Sequence, residues 1–190
     1  MSLRGVAVAG LARPVSFDLG AGECLAVVDA DTECRTALLH AIAHPAAVPE
    51  GTVRAPVAAA VWHRDDLIDT AAVRDSMMRE LAQHRSMRTP HAVLEEIGLA
   101  HRIDHEPWAM SQGERRQIAI ATAFAGDASL VVLDEPERGL DSRAMRWLSR
   151  TISSALESGR VVVLATFNDL LADACADFVV DDLDSLGLER

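Results

Sequence analysis

Residues 110–141 read MSQGERRQIAIATAFAGDASLVVLDEPERGLD, and the reading of this stretch decides the fold. Ser111 and Glu114 stand three residues apart ahead of an apolar-periodic run, the spacing of a capping box, which predicts a helix from Ser111 to about Ala125. Such a helix start turns amides and a positive dipole end outward, and Gly113 is expected to let a ligand approach closely, so the turn could seat an anion. Ser129–Leu133 is wholly apolar, as a strand buried on both faces would be, and it runs into two adjacent carboxylates, Asp134 and Glu135. At the carboxyl edge of an open α/β sheet, that pair suits nucleotide chemistry. The first acid would hold Mg²⁺ through water, and the second would orient or deprotonate an attacking water. Either element alone also occurs as a plain capped helix or a plain strand end. Pro136 and the Gly139-Leu140-Asp141 turn, directly after the acids, narrow the choice.

Outward from this stretch, buried-strand runs alternate with helical ones. Residues 3–9 and 14–19 read as short strands, Cys24–Val28 and Val57–Trp62 as strands, and Thr36–His44 as a helix. The pattern is helical from Ala71 to Leu99, with a break where Thr89 can cap a second helix ahead of Pro90. Ser142–Leu156 is helical, Arg160–Ala165 a strand, Asp169–Ala176 a short helix and Phe178–Val180 a last strand. The expectation is an α/β fold with a mainly parallel sheet, small antiparallel strands near the start and a helical subdomain inserted at about 68–108, all in one domain spanning 1–190.

The 110–141 stretch resembles the ATP-binding-cassette (ABC) ATPases. MSQGE is similar to their LSGGQ signature at Ser111 and Gly113, with Gln112 and Glu114 as departures, and SLVVLDEP is similar to their Walker B strand. The resemblance implies a P-loop NTPase core, with Asp134 at the magnesium position, Glu135 at the catalytic position and Asp141 in the D-loop that crosses to a partner subunit. It extends to FDLGAGECLAVV before the phosphate loop, to AVWHRDDLIDTAAVRDSM around the Q-loop, and to VVVLATFNDLLADACADFVV around the switch.

Within that frame DADTECRTA, residues 29–37, corresponds to the phosphate loop GxxxxGK[ST]. Asp29 and Cys34 stand at its two glycines, Arg35 at its lysine, and Thr36, a second magnesium ligand by resemblance, is retained. Ala30, Asp31, Thr32, Glu33 and Ala37 complete the cofactor-binding stretch. All 18 basic residues are arginine, so no lysine elsewhere can substitute. Asp29, Asp31 and Glu33 would crowd a triphosphate: each close like-charge pair costs roughly 1 kcal/mol in water and about 4 at an effective dielectric near 20. Micromolar affinity is worth only about 8 kcal/mol. Arg35 is therefore expected to fold back on Asp29, Asp31 or Asp134 and neutralise the loop. His63 stands at the Q-loop glutamine and Phe167 at the switch histidine, and a phenyl ring can neither carry charge nor donate.

Composition limits the alternatives. A net charge of −11 excludes the basic face that a nucleic-acid partner demands. No apolar run reaches the roughly 20 residues of a membrane span, and the start lacks a signal-peptide pattern, so the expected location is the cytoplasm, peripheral to the membrane face. Three cysteines without a close pair suggest reduced thiols. HRIDHE (101–106) as a metal site, Cys34 as a reactive thiol, and Met77, Met78, Met87 and Trp62 as a docking groove are weaker candidates. The resemblance as a whole implies a subunit impaired at its own ATP and Mg²⁺ site that pairs with a homologous ABC ATPase subunit under a transmembrane transporter subunit. Its signature would then serve the partner's ATP. An ATPase working with Glu135 in a modified pocket, and a scaffold without transport, are the competing expectations.

Overall fold

A computed structural model describes residues 1–28, 31–63, 72–183 and 186 of the chain. Three antiparallel strands come first: β1 (Ser2–Val6) lies between β2 (Val15–Asp18) and β4 (Thr52–Arg54). At three residues, Thr-Val-Arg, β4 is too short for its alternation to be recognised in sequence, and it was not expected. The main sheet is parallel throughout, in the order β5 (Ala58–Val61), β6 (Leu130–Asp134), β7 (Val161–Ala165), β3 (Cys24–Val27), β8 (Phe178–Val180). The expected α/β class is the observed one.

Residues alternate between the two faces of this sheet, as the period of two requires. Leu25, Val27, Val132 and Val163 pack under α1 (Thr32–Ala43) with Leu38, Leu39 and Ile42. Ala26, Val131, Leu133 and Leu164 face α5 (Ser142–Glu157) and α6 (Asp169–Cys175). Because both faces are covered, the strands are apolar without a break, and each fully buried Leu, Ile or Val contributes roughly 1.5–3 kcal/mol. The helices α2 (Val73–Gln83) and α3 (Pro90–Glu96) pack on α4 (Gln112–Ala125) around Met77, Leu94 and Ile118. Thr89 caps α3 by accepting from the Ala92 amide.

One boundary differs in a way that matters for the site. Helix α1 starts at Thr32, four residues before the expected Thr36, because the Asp31 carboxylate accepts from the amides of Glu33 and Cys34. Asp31 is thus an N-cap. Thr32, Glu33, Cys34 and Arg35 belong to the first helical turn instead of a loop.

Candidate functional site

The parallel register brings the carboxyl ends of β3, β5, β6 and β7 to one edge, with Asp134 level with Ala165. Arg35 and Thr36 reach this edge from α1, His63 from the end of β5, Asp134 and Glu135 from β6, and Phe167 from just after β7. Asp29 and Ala30 lie outside the described residues.

Asp134 is fully buried. Its Oδ2 accepts from the Thr36 hydroxyl at 3.0 Å and from His63 Nδ1 at 2.6 Å, while Oδ1 has no hydrogen-bond partner among the described residues. His63 and Asp134, which the resemblance sets at the Q-loop and magnesium positions, are thereby bonded directly to each other. Arg116 fixes this arrangement from behind. It is fully buried on α4, and its guanidinium donates to the carbonyls of Trp62 at 2.6 Å and His63 at 2.8 Å. Sequence reasoning did not single out Arg116. Its signal was an arginine in line with Ile120 and Ala123 on the buried stripe of the signature helix.

Arg35 folds inward, as expected, and it makes an ion pair with Glu135, an acid outside the expected set of Asp29, Asp31 and Asp134. The guanidinium is 0% exposed and donates to Glu135 Oε1 at 3.3 Å and to Thr32 Oγ1 at 3.2 Å. Its outer face is covered by the Phe167 ring, whose centroid lies 3.7 Å from Arg35 Cζ, a cation–π contact. The Phe167 amide in turn donates to Glu137 Oε1. Asp31, expected to repel phosphate, is held below the usual carboxylate range by the amide and thiol of Cys34, with help from the Glu33 amide and the Arg35 charge. Glu33 is exposed, and Ala37 is partly buried on the next turn of α1.

On the signature side, the Ser111 hydroxyl accepts from the Glu114 amide and Glu114 Oε2 accepts from the Ser111 amide, the capping box read from sequence. Arg102 also donates to Glu114 Oε1 at 2.9 Å. Gln112 is exposed beside Ser111. Gly113 has a different cause from the one expected: a Cβ there would stand 2.1 Å from the Gly139 carbonyl oxygen, so the close approach comes from the chain's own D-loop. Asp141 caps α5 through the amides of Arg143 and Ala144.

The weaker candidates resolve individually. Asp104 of HRIDHE pairs with Arg74, and Glu106 accepts from the Trp108 indole. The three cysteines are buried thiols outside any disulfide, and Cys34 Sγ lies under Gly10, where a Cβ would meet it at 2.5 Å. Met77 is a core residue and Trp62 stacks on His40 at 3.8 Å, so neither is free to line a groove, whereas Met78 and Met87 are exposed.

A family model described as ABC transporter matches residues 12–138. The aliphatic sulfonates import ATP-binding protein SsuB 1 of Pseudomonas syringae pv. tomato is 33% identical over 129 residues, covering 67% of this chain and 48% of that protein. The cytochrome c biogenesis ATP-binding export protein CcmA of Rhodopseudomonas palustris is 30% identical over 168 residues, covering 82% of this chain and 84% of that protein. Among solved structures, a dimeric ATP-binding cassette in a post-hydrolysis state with ADP and Pi superposes with a TM-score of 0.81 at 18% identity, over 100% of this chain and 96% of that one. The chain spans about half or less of the length of the first curated relatives it matches. Among the described residues no helix is long and apolar enough to cross a membrane.

Proposed function

The chain belongs to the ABC transporter family, and from that premise we propose that it is an ATP-binding-cassette subunit whose own nucleotide site is closed and whose signature side serves a homologous partner's ATP. The observation that carries the proposal is the inward turn of the charged side chains. Arg35, at the lysine position, is spent on Glu135, and Asp134 Oδ2 is spent on Thr36 and His63. Among the described residues Asp134 Oδ1 has no hydrogen-bond partner, but the groups that would reach a magnesium triphosphate, Arg35, Thr36 and His63, are each bonded to one of the two acids at the end of β6. The residues present do not fit a magnesium triphosphate as they are arranged.

The opposite side supports a service role. Ser111 and Gln112 are exposed on a helix start whose amides and dipole favour an anion, and Asp141 is exposed next to them. A transmembrane subunit and a position at the cytoplasmic membrane face follow from the family and belong to the same proposal.

Two measurements test it. A cassette with a Kd near 10 µM, given 1 mM Mg-ATP, gains about 2.7 kcal/mol, or roughly 5–10 °C in Tm. This chain is expected to shift by less than about 1 °C and to turn over no ATP. In a complex with a co-purifying homologous cassette, Ser111→Arg is expected to lower the partner's ATP turnover at least about tenfold, the loss of one preorganised anion seat. Micromolar binding by the isolated chain, with turnover abolished by Glu135→Gln, would overturn the proposal.

A further inference from the structure

We propose that Glu135 acts in this chain as the counter-ion that allows Arg35 to fill the site, and not as a base. The inference rests on the closed-site reading and assigns the one residue that reading leaves unexplained.

Arginine cannot shed its proton in a protein, so a guanidinium that is 0% exposed needs an anion and stacked neighbours. Two carboxylates sit at the end of β6. Asp134 already accepts two bonds on Oδ2 from Thr36 and His63. Glu135 is the one that meets Arg35, at 3.3 Å through Oε1, while its Oε2 lies 3.7 Å from Arg138. A general base needs a lone pair directed at the proton it takes. Here each oxygen of Glu135 faces an arginine.

The backbone is consistent with this assignment. Glu135 adopts a φ of +49°, a left-handed conformation that costs a non-glycine residue and persists only where its surroundings over-determine it. The Glu135 amide donates to the Ala165 carbonyl at 2.9 Å, which pins the turn beside β7, and Phe167 leaves β7 to cover the guanidinium. Arginine suits this slot because its planar guanidinium lies flat under the Phe167 ring while Nη2 donates to both Glu135 and Thr32. Arg35, Glu135 and Phe167 thus form one unit: cation, counter-ion and lid.

The test is a double-mutant cycle on the full chain, read by thermal and urea unfolding. Arg35→Met and Glu135→Gln are each expected to lower Tm by roughly 5–15 °C, because each takes an opposite charge away from a buried ion. The double variant Arg35→Met/Glu135→Gln is expected to recover most of the loss, the coupling of groups that act on each other's charge. Single losses below about 2 °C, or losses that add in the double variant, overturn the proposal. If neither single variant folds, the double variant decides: a folded protein supports the pair and an unfolded one overturns it. A Tm increase of the wild type with Mg-ATP would defeat the closed-site reading, whatever the cycle shows. An additive cycle without such an increase would defeat the counter-ion assignment alone.

Discussion

Glu114 illustrates how one side chain can serve two neighbours. Burial alone would raise its pKa, but the Ser111 amide, Arg102 and the Ser111 hydroxyl outweigh that and bring the carboxyl below its ordinary value of 4.5. A folded-state pKa depressed in this way contributes stability above the unfolded value and loses it as pH falls through the folded one. Glu114→Gln is therefore expected to be less stable than wild type at neutral pH. The gap in urea midpoint should narrow as pH drops below about 4.5, and a constant gap across the titration would show that the charge plays no part. The contact from Ser111 to Glu114 was legible in sequence because it spans three residues and obeys a known spacing. The pair from Arg35 to Glu135 spans 100 residues, and only the sheet register brings its members together. The sequence showed that Arg35 had to be neutralised, and the fold selected the acid. Asp31 has a second role that the sequence reading did not include: the carboxylate that would repel a phosphate also caps a helix.

At the scale of elements, the long apolar runs were read to within a residue or two, since strands covered on both faces carry no ambiguity of period. The start of α1 was missed because its first turn, Thr32–Arg35, is polar and looks like loop until its cap is seen. The order of the parallel strands, on which the whole carboxyl edge depends, leaves no trace in any single run. Helix α5 shows the strength of one apolar stripe: Ala144, Leu148, Ile152 and Ala155 are buried at helical spacing against the sheet. Leu148→Ala is expected to cost about 2–5 kcal/mol by transfer loss and cavity formation. The exposed Arg146→Ala, two residues away, should stay within about 0.5 kcal/mol. Equilibrium urea unfolding of the two variants checks the contrast.

Taken whole, the molecule has two unlike sides joined by α4. One end of that helix carries Ser111 and Gly113, and Arg116, one turn on, holds Trp62 and His63 and through His63 reaches Asp134. Between Gly113 and the D-loop there is no spare room, so Gly113→Ala is expected to cost about 1–3 kcal/mol by displacing the Gly139 backbone, measurable as a lower urea midpoint. That contact has a consequence for how the surface can vary. A side chain gained at 113 forces the backbone at 139 to move, whereas one gained at 139 meets residue 113 at 3.3 Å and is opposed mainly by the φ of +76° there. The face built from residues 111–114 and 139–141 is therefore held together by backbone contact, and a protein docking against it meets one shape instead of two separable loops.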